Sequence, residues 1–271
     1  MNEATIPEAV PLARPVSVDG DTGIGPLPCA YELTSAWPAP MSRLRAVIEL
    51  VVLLVCGLTG AFATYELSTR VPVPDPRWYQ VLSSVGVGIT SILACTLIVY
   101  VAGHKPVSIG WTRKDCAANA GIGIGALVAT YVILFSAALA ASFLFPSLLT
   151  ETPEAQRAIE ENFPPMRVYW VVPLTIFVAL WEEIVFRGFV LTRLNAIFRR
   201  WWLTILLASS VFGAVHIYYE GLLAVLVISG LALVMSVLFV WRRSLVPSIV
   251  FHWLHNLVIF VLLGSISQTW Q

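Results

Sequence analysis

Seven long apolar stretches constrain the fold of this chain more than any other feature. They run over residues 46–67, 81–102, 117–145, 168–190, 203–219, 222–240 and 246–263. A helix needs about 20 apolar residues to cross the ~30 Å hydrocarbon core of a bilayer, and each stretch reaches or approaches that length. The sequence therefore predicts an all-α fold, a polytopic transmembrane helical bundle with about seven spans (six to eight).

The composition supports a membrane protein and excludes other classes. Charged residues make up 12% of the 271 residues and apolar residues 58%, whereas soluble domains carry about 25% charged residues. The 16 Lys+Arg and 16 Asp+Glu residues give a formal net charge of zero, so no basic face for nucleic acid is indicated. We therefore exclude an ordinary soluble globule and a disordered chain, and we expect the lipid bilayer, not nucleic acid, as the surrounding partner.

The N-terminal segment differs from the rest of the chain. Residues 1–40 contain seven of the 17 prolines and five acidic residues, with Arg14 as the only basic one. Such a segment buries too little apolar surface to fold, so we expect a disordered, acidic, Pro-rich cytoplasmic tail without a cleaved signal peptide. Residues 41–165 are predicted to hold the N-terminal transmembrane helices, followed by a second region over residues 166–265. A short interfacial helix is predicted over residues 153–162.

Basic residues near the span ends predict the orientation, because positively charged loops remain in the cytoplasm. With the N-terminus inside, ten basic residues lie near cytoplasmic span ends and four near the opposite ends. The ten are Arg43, Arg45, Lys105, Arg113, Lys114, Arg193, Arg199, Arg200, Arg242 and Arg243, and the four are Arg70, Arg77, Arg157 and Arg167. We therefore expect a multi-pass protein of the bacterial inner (plasma) membrane with a cytoplasmic N-terminus.

Three of the predicted spans contain polar residues that a lipid-facing helix would not tolerate. In chain order they are Glu182, Glu183 and Arg187 in the fourth span, His216 in the fifth, and His252, His255 and Asn256 in the seventh. A charged residue at the centre of a span costs at least about 2.5–3.5 kcal/mol. We therefore expect these side chains to meet in the interior of the bundle, around water.

Helical spacing indicates which of these side chains share a face. Glu183 and Arg187 are four residues apart and can form an internal ion pair, whereas Glu182 points elsewhere. His252 and Asn256 are also four residues apart, so one face presents an imidazole and an amide.

Simpler structural roles stay open for several of these residues. The Glu183–Arg187 pair and a single buried His216 each have a purely structural interpretation, and Asn256 can join helices through hydrogen bonds. His255 is offset from Asn256 and is expected to pack or to support its neighbours. His104 lies in a polar loop and is expected to be solvated.

The polar set is chemically suited to hydrolysis, but its residues leave alternatives open. A desolvated carboxylate is a stronger base and can take a proton from an attacking water, while imidazole and carboxamide groups can hold an oxyanion. The same atoms fit a catalytic metal such as zinc, with Glu182, His216 and His252 as candidate ligands. Buried Glu and His also form proton relays, so a proton-coupled transporter is the alternative function.

Three motifs on successive core helices resemble those of the CPBP family, the CAAX protease and bacteriocin-processing (Abi) membrane proteins. That group includes the type II CAAX prenyl endopeptidases and proteins similar to lysostaphin resistance protein A. Its EExxxR, FxxxH and HxxxN motifs correspond here to Glu182–Arg187, Phe212–His216 and His252–Asn256, all within residues 168–263. The resemblance identifies residues 166–265 as the expected catalytic core.

The resemblance implies an intramembrane endopeptidase, with or without a metal, that cleaves a peptide or membrane-anchored protein. Glu182 would activate water, Glu183 and Arg187 would support it, and His216 would hold the water or a metal. His252 and Asn256 would form the oxyanion hole. A non-catalytic bacteriocin-immunity protein of the same fold is a further alternative, because its motif residues would be the same.

One geometric conflict accompanies this assignment. With spans at 168–190 and 203–219, Glu182 and His252 fall in the cytoplasmic third of the membrane, but His216 falls about 20 Å from the cytoplasmic start of its span. The sequence thus predicts that the fifth helix begins later than residue 203 or lies below the membrane surface.

Overall fold

The computed structural model describes residues 37, 41–73, 75–144, 164 and 166–267. Seven longer helices lie within these residues: α1 Arg43–Ser68, α2 Trp78–Val101, α3 Cys116–Leu144, α4 Val168–Phe198, α5 Trp201–Ala214, α6 Ile217–Arg242 and α7 Val246–Ser267. A 3₁₀ turn, Pro106–Ile109, lies between α2 and α3. The described residues thus form an all-α membrane bundle, as predicted.

Five helices in the described part of the chain are long and apolar enough to cross a membrane. They are α1, α2, α3, α4 and the Val225–Arg242 part of α6, whereas Trp201–Ala214 and Val246–Leu262 are shorter apolar helices. The seven predicted spans therefore correspond to seven helices, two of which are short. The predicted disordered tail, except Trp37, and the predicted helix over residues 153–162 lie outside the described residues.

Helix α4 extends eight residues beyond its predicted end at residue 190. It continues through a π-helical segment, Ile184–Leu191, and ends at Phe198, where Arg199 adopts a left-handed conformation with φ 56°. The polar residues after position 190 suggested that the span ended there. Thr192 and Arg193 are instead 2% exposed, because the Thr192 hydroxyl donates to the Gly188 carbonyl and Arg193 Nε donates to the Glu49 carboxylate.

The predicted fifth span is also wrong in its boundaries. Helix α5 ends at Ala214, and His216 is the N-cap residue of α6, which begins at Ile217. The chain reverses between these helices, and Gly213 allows them to approach closely, since a side chain there would clash with Ser229. Hydropathy did not reveal this turn because apolar residues continue through it.

The length of α4 removes the depth conflict between Glu182 and His216. Helix α5 begins at Trp201, close to its predicted start, so a later start is not the explanation. Glu182 instead lies about 24 Å from the Phe198 end of α4, and His216 lies about 22 Å from the start of α5. The prediction that Glu182 lies in the cytoplasmic third assumed a helix that ended at residue 190, and it stays a prediction.

A buried ion cluster joins α1 to the end of α4. The Glu49 carboxylate of α1 binds Arg45 Nε at 2.9 Å and Arg193 Nε at 3.0 Å. His104 Nε2 lies 3.9 Å from the same carboxylate, and the His104 side chain is 9% exposed. The expectation that His104 is solvated was therefore wrong, because the end of α2 folds back onto α1, where Arg45 Nη2 donates to the Ala102 carbonyl at 2.8 Å.

Candidate active site

The transition from α-helix to π-helix in α4 lies within the acidic motif. The α-helical part ends at Glu183, and the π-helical segment begins at Ile184; π-helical insertions of this kind are frequent at functional sites. Glu183 is 0% exposed, Arg187 1% and Glu182 9%. All three side chains thus lie inside the bundle, as the sequence predicts.

Arg187 is held by three groups. Its Nη1 donates to Glu183 Oε1 at 2.7 Å, so the predicted ion pair is present. Its Nη2 donates to the Ala232 carbonyl of α6 at 3.2 Å. Its guanidinium lies 4.5 Å from the centre of the Phe212 ring, a distance suited to a cation–π contact.

His252 of α7 contacts both glutamates. Its Nδ1 lies 2.9 Å from Glu183 Oε1, and its Nε2 lies 3.7 Å from Glu182 Oε2. Because the Glu183 carboxylate paired with Arg187 can only accept, we assign the proton to Nδ1. The neutral ring then presents an unprotonated Nε2 towards Glu182. Sequence spacing did not reveal the Glu183–His252 bond, because it joins two helices.

Phe212 connects the two predicted histidines. Its ring centre lies 5.0 Å from that of His216 and 5.8 Å from that of His252. The Phe212 carbonyl accepts a hydrogen bond from His216 Nδ1 at 2.8 Å, so the neutral His216 ring also has an unprotonated Nε2. The predicted shared face of Phe212 and His216 is present, and it brings His216 to the ring that also contacts His252.

Asn256 and His255 follow His252 on α7. Asn256 is partly buried one turn after His252. No side-chain hydrogen bond joins Asn256 to another group in the part of the chain that the structure describes, so its predicted role stays a prediction. His255 Nδ1 lies 2.9 Å from the Tyr131 hydroxyl of α3, which agrees with the expected supporting role.

The predicted metal ligands do not form a complete coordination set. Among the described residues, no group of three or more His, Cys, Asp or Glu side chains is placed to hold a metal ion. Catalytic zinc sites usually have three protein ligands, whereas Glu182 and His252 provide two donors and Glu183 Oε1 already binds Arg187 and His252. The described side chains therefore do not fit a three-ligand zinc site.

Comparison with known proteins agrees with the location of this site. Residues 164–258 match the family model described as type II CAAX prenyl endopeptidase Rce1-like. Searches among curated proteins and among solved structures found no match. The matched segment contains all three motifs and every polar residue of the site. Residues 164–258, which we call the Rce1-like domain, are therefore similar to the type II CAAX prenyl endopeptidase family, in agreement with the resemblance seen in the sequence.

Proposed function

We propose that this protein is an intramembrane endopeptidase in which Glu182 activates a water molecule for attack on a peptide bond. The observation that carries this proposal is the position of His252, with Nδ1 on Glu183 and Nε2 facing Glu182 at 3.7 Å. That separation exceeds a direct hydrogen bond, so a water beside both atoms can contact each of them. Both side chains are largely buried, because the side chain of Glu182 is 11% exposed and that of His252 is 7% exposed.

The first step is the attack of water. The water donates one hydrogen bond to Glu182 Oε2 and one to the unprotonated Nε2 of His252. Glu182 takes a proton as the water oxygen bonds to the carbonyl carbon of the substrate. Glu183 holds the imidazole in the required tautomer and orientation, and Arg187 compensates the charge of Glu183.

The second step is the collapse of the tetrahedral intermediate. The amide of Asn256, one turn from His252 on α7, donates to the negative oxygen. The unprotonated Nε2 of His252 continues to accept a hydrogen bond from the hydroxyl group that came from the water. Glu182 returns its proton to the leaving nitrogen as the C–N bond breaks, so one water and one peptide bond yield a carboxylic acid and an amine.

The substrate class follows from the Rce1-like domain and the membrane setting. A site enclosed by apolar helices suits a peptide that the bilayer itself presents. We therefore propose that the substrate is a lipid-anchored peptide with a prenylated cysteine near its C-terminus, followed by a few residues. The partners are then the bilayer and this peptide.

Peptide cleavage by the purified protein tests this proposal. The wild-type protein in lipid nanodiscs is incubated with a synthetic peptide that ends in a farnesylated cysteine and three further residues. Mass spectrometry should detect the peptide without these three residues. An unlipidated peptide of the same sequence is the control and should be cleaved more slowly.

A transport assay separates the proposal from its main alternative. The protein is reconstituted into vesicles that contain a pH-sensitive dye. Proton uptake driven by a membrane potential, with no cleavage of either peptide, would favour a proton-coupled transporter. Neither cleavage nor proton flux would favour a non-catalytic protein of the same fold.

A further inference from the structure

Trp37 lies in an aromatic pocket at the end of the bundle, outside the three motifs. Its ring stacks on Trp201 at 5.6 Å with an interplanar angle of 11°, and it packs against Phe239 at 5.3 Å. The Arg243 guanidinium lies 5.9 Å from the Trp37 ring. Trp37 therefore contacts the start of α5 and the end of α6, two helices of the Rce1-like domain.

Trp37 also binds the 3₁₀ turn that follows α2. Its Nε1 donates to the Val107 carbonyl at 3.1 Å. The same carbonyl accepts the backbone N–H of Gly110 at 3.0 Å, so Trp37 binds the oxygen that closes the turn. We call residues 106–110 the 106–110 loop.

The 106–110 loop fits between two helices of the domain. Gly110 adopts φ 78°, which favours glycine, and a side chain there would clash with the Phe239 ring. The Gly110 carbonyl accepts the backbone N–H of Leu245 at 3.0 Å. The loop is therefore attached at both ends of its turn, to Trp37 through Val107 and to Leu245 through Gly110.

The loop contacts α4 beside the ion pair of the site. A Cβ atom at Gly188 would lie 2.9 Å from the Ile109 carbonyl oxygen, so the backbone of the loop lies directly on the π-helical segment of α4. Gly188 follows Arg187, which holds Glu183 and packs against Phe212. Ile109, Ile184, Val185 and Phe239 belong to one apolar cluster, against which Trp37 packs.

We propose that Trp37 is a positioning residue that holds the 106–110 loop against Gly188 and thereby fixes the segment of α4 that carries Glu183 and Arg187. Trp37 lies 127 residues before the start of the family match at residue 164. Trp37 binds Val107, the loop that contains Val107 contacts Gly188 through Ile109, and Gly188 adjoins Arg187 in α4. The catalytic consequence rests on the proposed function, whereas the ordering of the loop and of α4 does not.

Hydrogen–deuterium exchange tests the ordering directly. Full-length wild type, Trp37→Ala and Trp37→Phe are compared in nanodiscs, and Trp202→Ala is the matched control because Trp202 is 64% exposed beside Trp201. An aromatic pair and a hydrogen bond together change a local opening equilibrium by about tenfold. We expect the Gly110 and Trp111 amides and the 184–191 segment to exchange about tenfold faster in Trp37→Ala. Trp37→Phe, which keeps the ring contacts, should be intermediate, and Trp202→Ala should match the wild type.

Cleavage kinetics separate positioning from a general loss of stability. In Trp37→Ala, kcat should fall by about tenfold while KM stays within about twofold. Trp37→Phe, which keeps the ring contacts but lacks the N–H that binds Val107, should have an intermediate kcat. Exchange in Trp37→Ala that equals the control, or that accelerates equally in all helices, would overturn the inference. An increase in KM at unchanged kcat would also overturn it, because that pattern indicates substrate binding. If the wild type cleaves nothing, the proposed function fails, and exchange still decides whether Trp37 orders the loop and α4.

Discussion

At the scale of single residues, the candidate site depends on one buried carboxylate, that of Glu183, which binds two partners. Glu183 Oε1 binds both Arg187 and His252. Glu182 lies 3.7 Å from His252 Nε2, beyond hydrogen-bond distance, and is the more exposed of the two glutamates, at 9% against 0%. We therefore propose different roles for the two adjacent carboxylates, Glu183 in orientation and Glu182 in proton transfer.

Removal of Arg187 should show how much its ion pair with Glu183 contributes to the stability of the folded protein. Arg187→Ala leaves Glu183 as a buried charge without its cation, which costs about 3–5 kcal/mol. We expect a lower melting temperature in detergent, less accumulated protein and lower activity. The matched control is Arg70→Ala, which removes an exposed pair at the same spacing, with Arg70 4.0 Å from Glu66 and a value of about 0–1 kcal/mol. Equal melting temperatures for the two variants would contradict a structural role of the ion pair.

Metal removal tests whether protein groups alone carry the reaction. The described side chains do not provide a three-ligand site, so cleavage should persist after incubation with EDTA or 1,10-phenanthroline. Elemental analysis of the purified protein should find well under one zinc per chain. Loss of activity on chelation, with recovery on addition of zinc, would show that a metal is required.

The sequence was sufficient for part of the site and not for the rest. Glu183–Arg187 and Phe212–His216 follow from a spacing of four residues, and the structure contains both contacts, although His216 lies two residues beyond the end of α5. The bond from His252 to Glu183 depends on how α7 packs on α4, which spacing within a helix does not report. Glu49 was missed, although it is a carboxylate inside an apolar stretch and thus gives the same signal as Glu182.

At the scale of helices, ion pairing allows α4 to continue beyond its predicted end at residue 190. Arg193 is 2% exposed because Glu49 and Thr192 accept its hydrogen bonds, and its guanidinium lies 3.8 Å from the Phe189 ring centre. A hydropathy profile counts Arg193 as unfavourable for a span whether or not a carboxylate such as Glu49 pairs with it. For this reason the helices themselves could be predicted from the sequence, whereas the end of α4 could not.

The cluster around Glu49 should make stability depend on pH. Burial and the nearby Arg45 and Arg193 guanidinium groups lower the pKa of His104 below its ordinary value of 6.5, and Glu49 opposes this effect. The unfolded chain therefore binds the proton more readily than the folded one, and stability falls as the pH drops through 6.5 and below. We expect a lower melting temperature at pH 5.5 than at pH 7.5.

A neutral substitution isolates the contribution of His104. His104→Gln cannot take up the proton, so its melting temperature should change less between pH 7.5 and pH 5.5 than that of the wild type. The measurement is thermal unfolding in detergent at matched ionic strength. If the two proteins show the same change, the pH dependence does not arise at His104.

At the scale of the whole molecule, the structure places several predicted cytoplasmic loops at one end of the bundle. The Arg45–Ala102 bond joins the start of α1 to the end of α2, and Trp37 joins the 106–110 loop to Trp201 and Arg243. Arg70 follows the opposite end of α1. The ten-to-four distribution of basic residues predicts that the first of these ends faces the cytoplasm.

Cysteine labelling tests this orientation. In a background without the four native cysteines, Lys105→Cys should react with a membrane-impermeant maleimide only after the cells are permeabilised. Arg70→Cys is the matched position at the other end of α1 and should react in intact cells. Labelling of Lys105→Cys from outside, with Arg70→Cys protected, would reverse the orientation.

The role of Glu182 is the central claim, and a cleavage comparison tests it most directly. Glu182→Gln keeps the shape of the side chain but cannot take a proton from water, and general-base catalysis contributes about 10²–10⁴-fold. With the farnesylated peptide, we expect Glu182→Gln to cleave at least about 100-fold more slowly than the wild type, with a similar melting temperature. Glu66→Gln, which alters a side chain that is 46% exposed on α1, should cleave normally. Normal cleavage by Glu182→Gln would contradict the mechanism, and a stable but inactive Glu183→Gln in the same experiment would reverse the roles of the two glutamates.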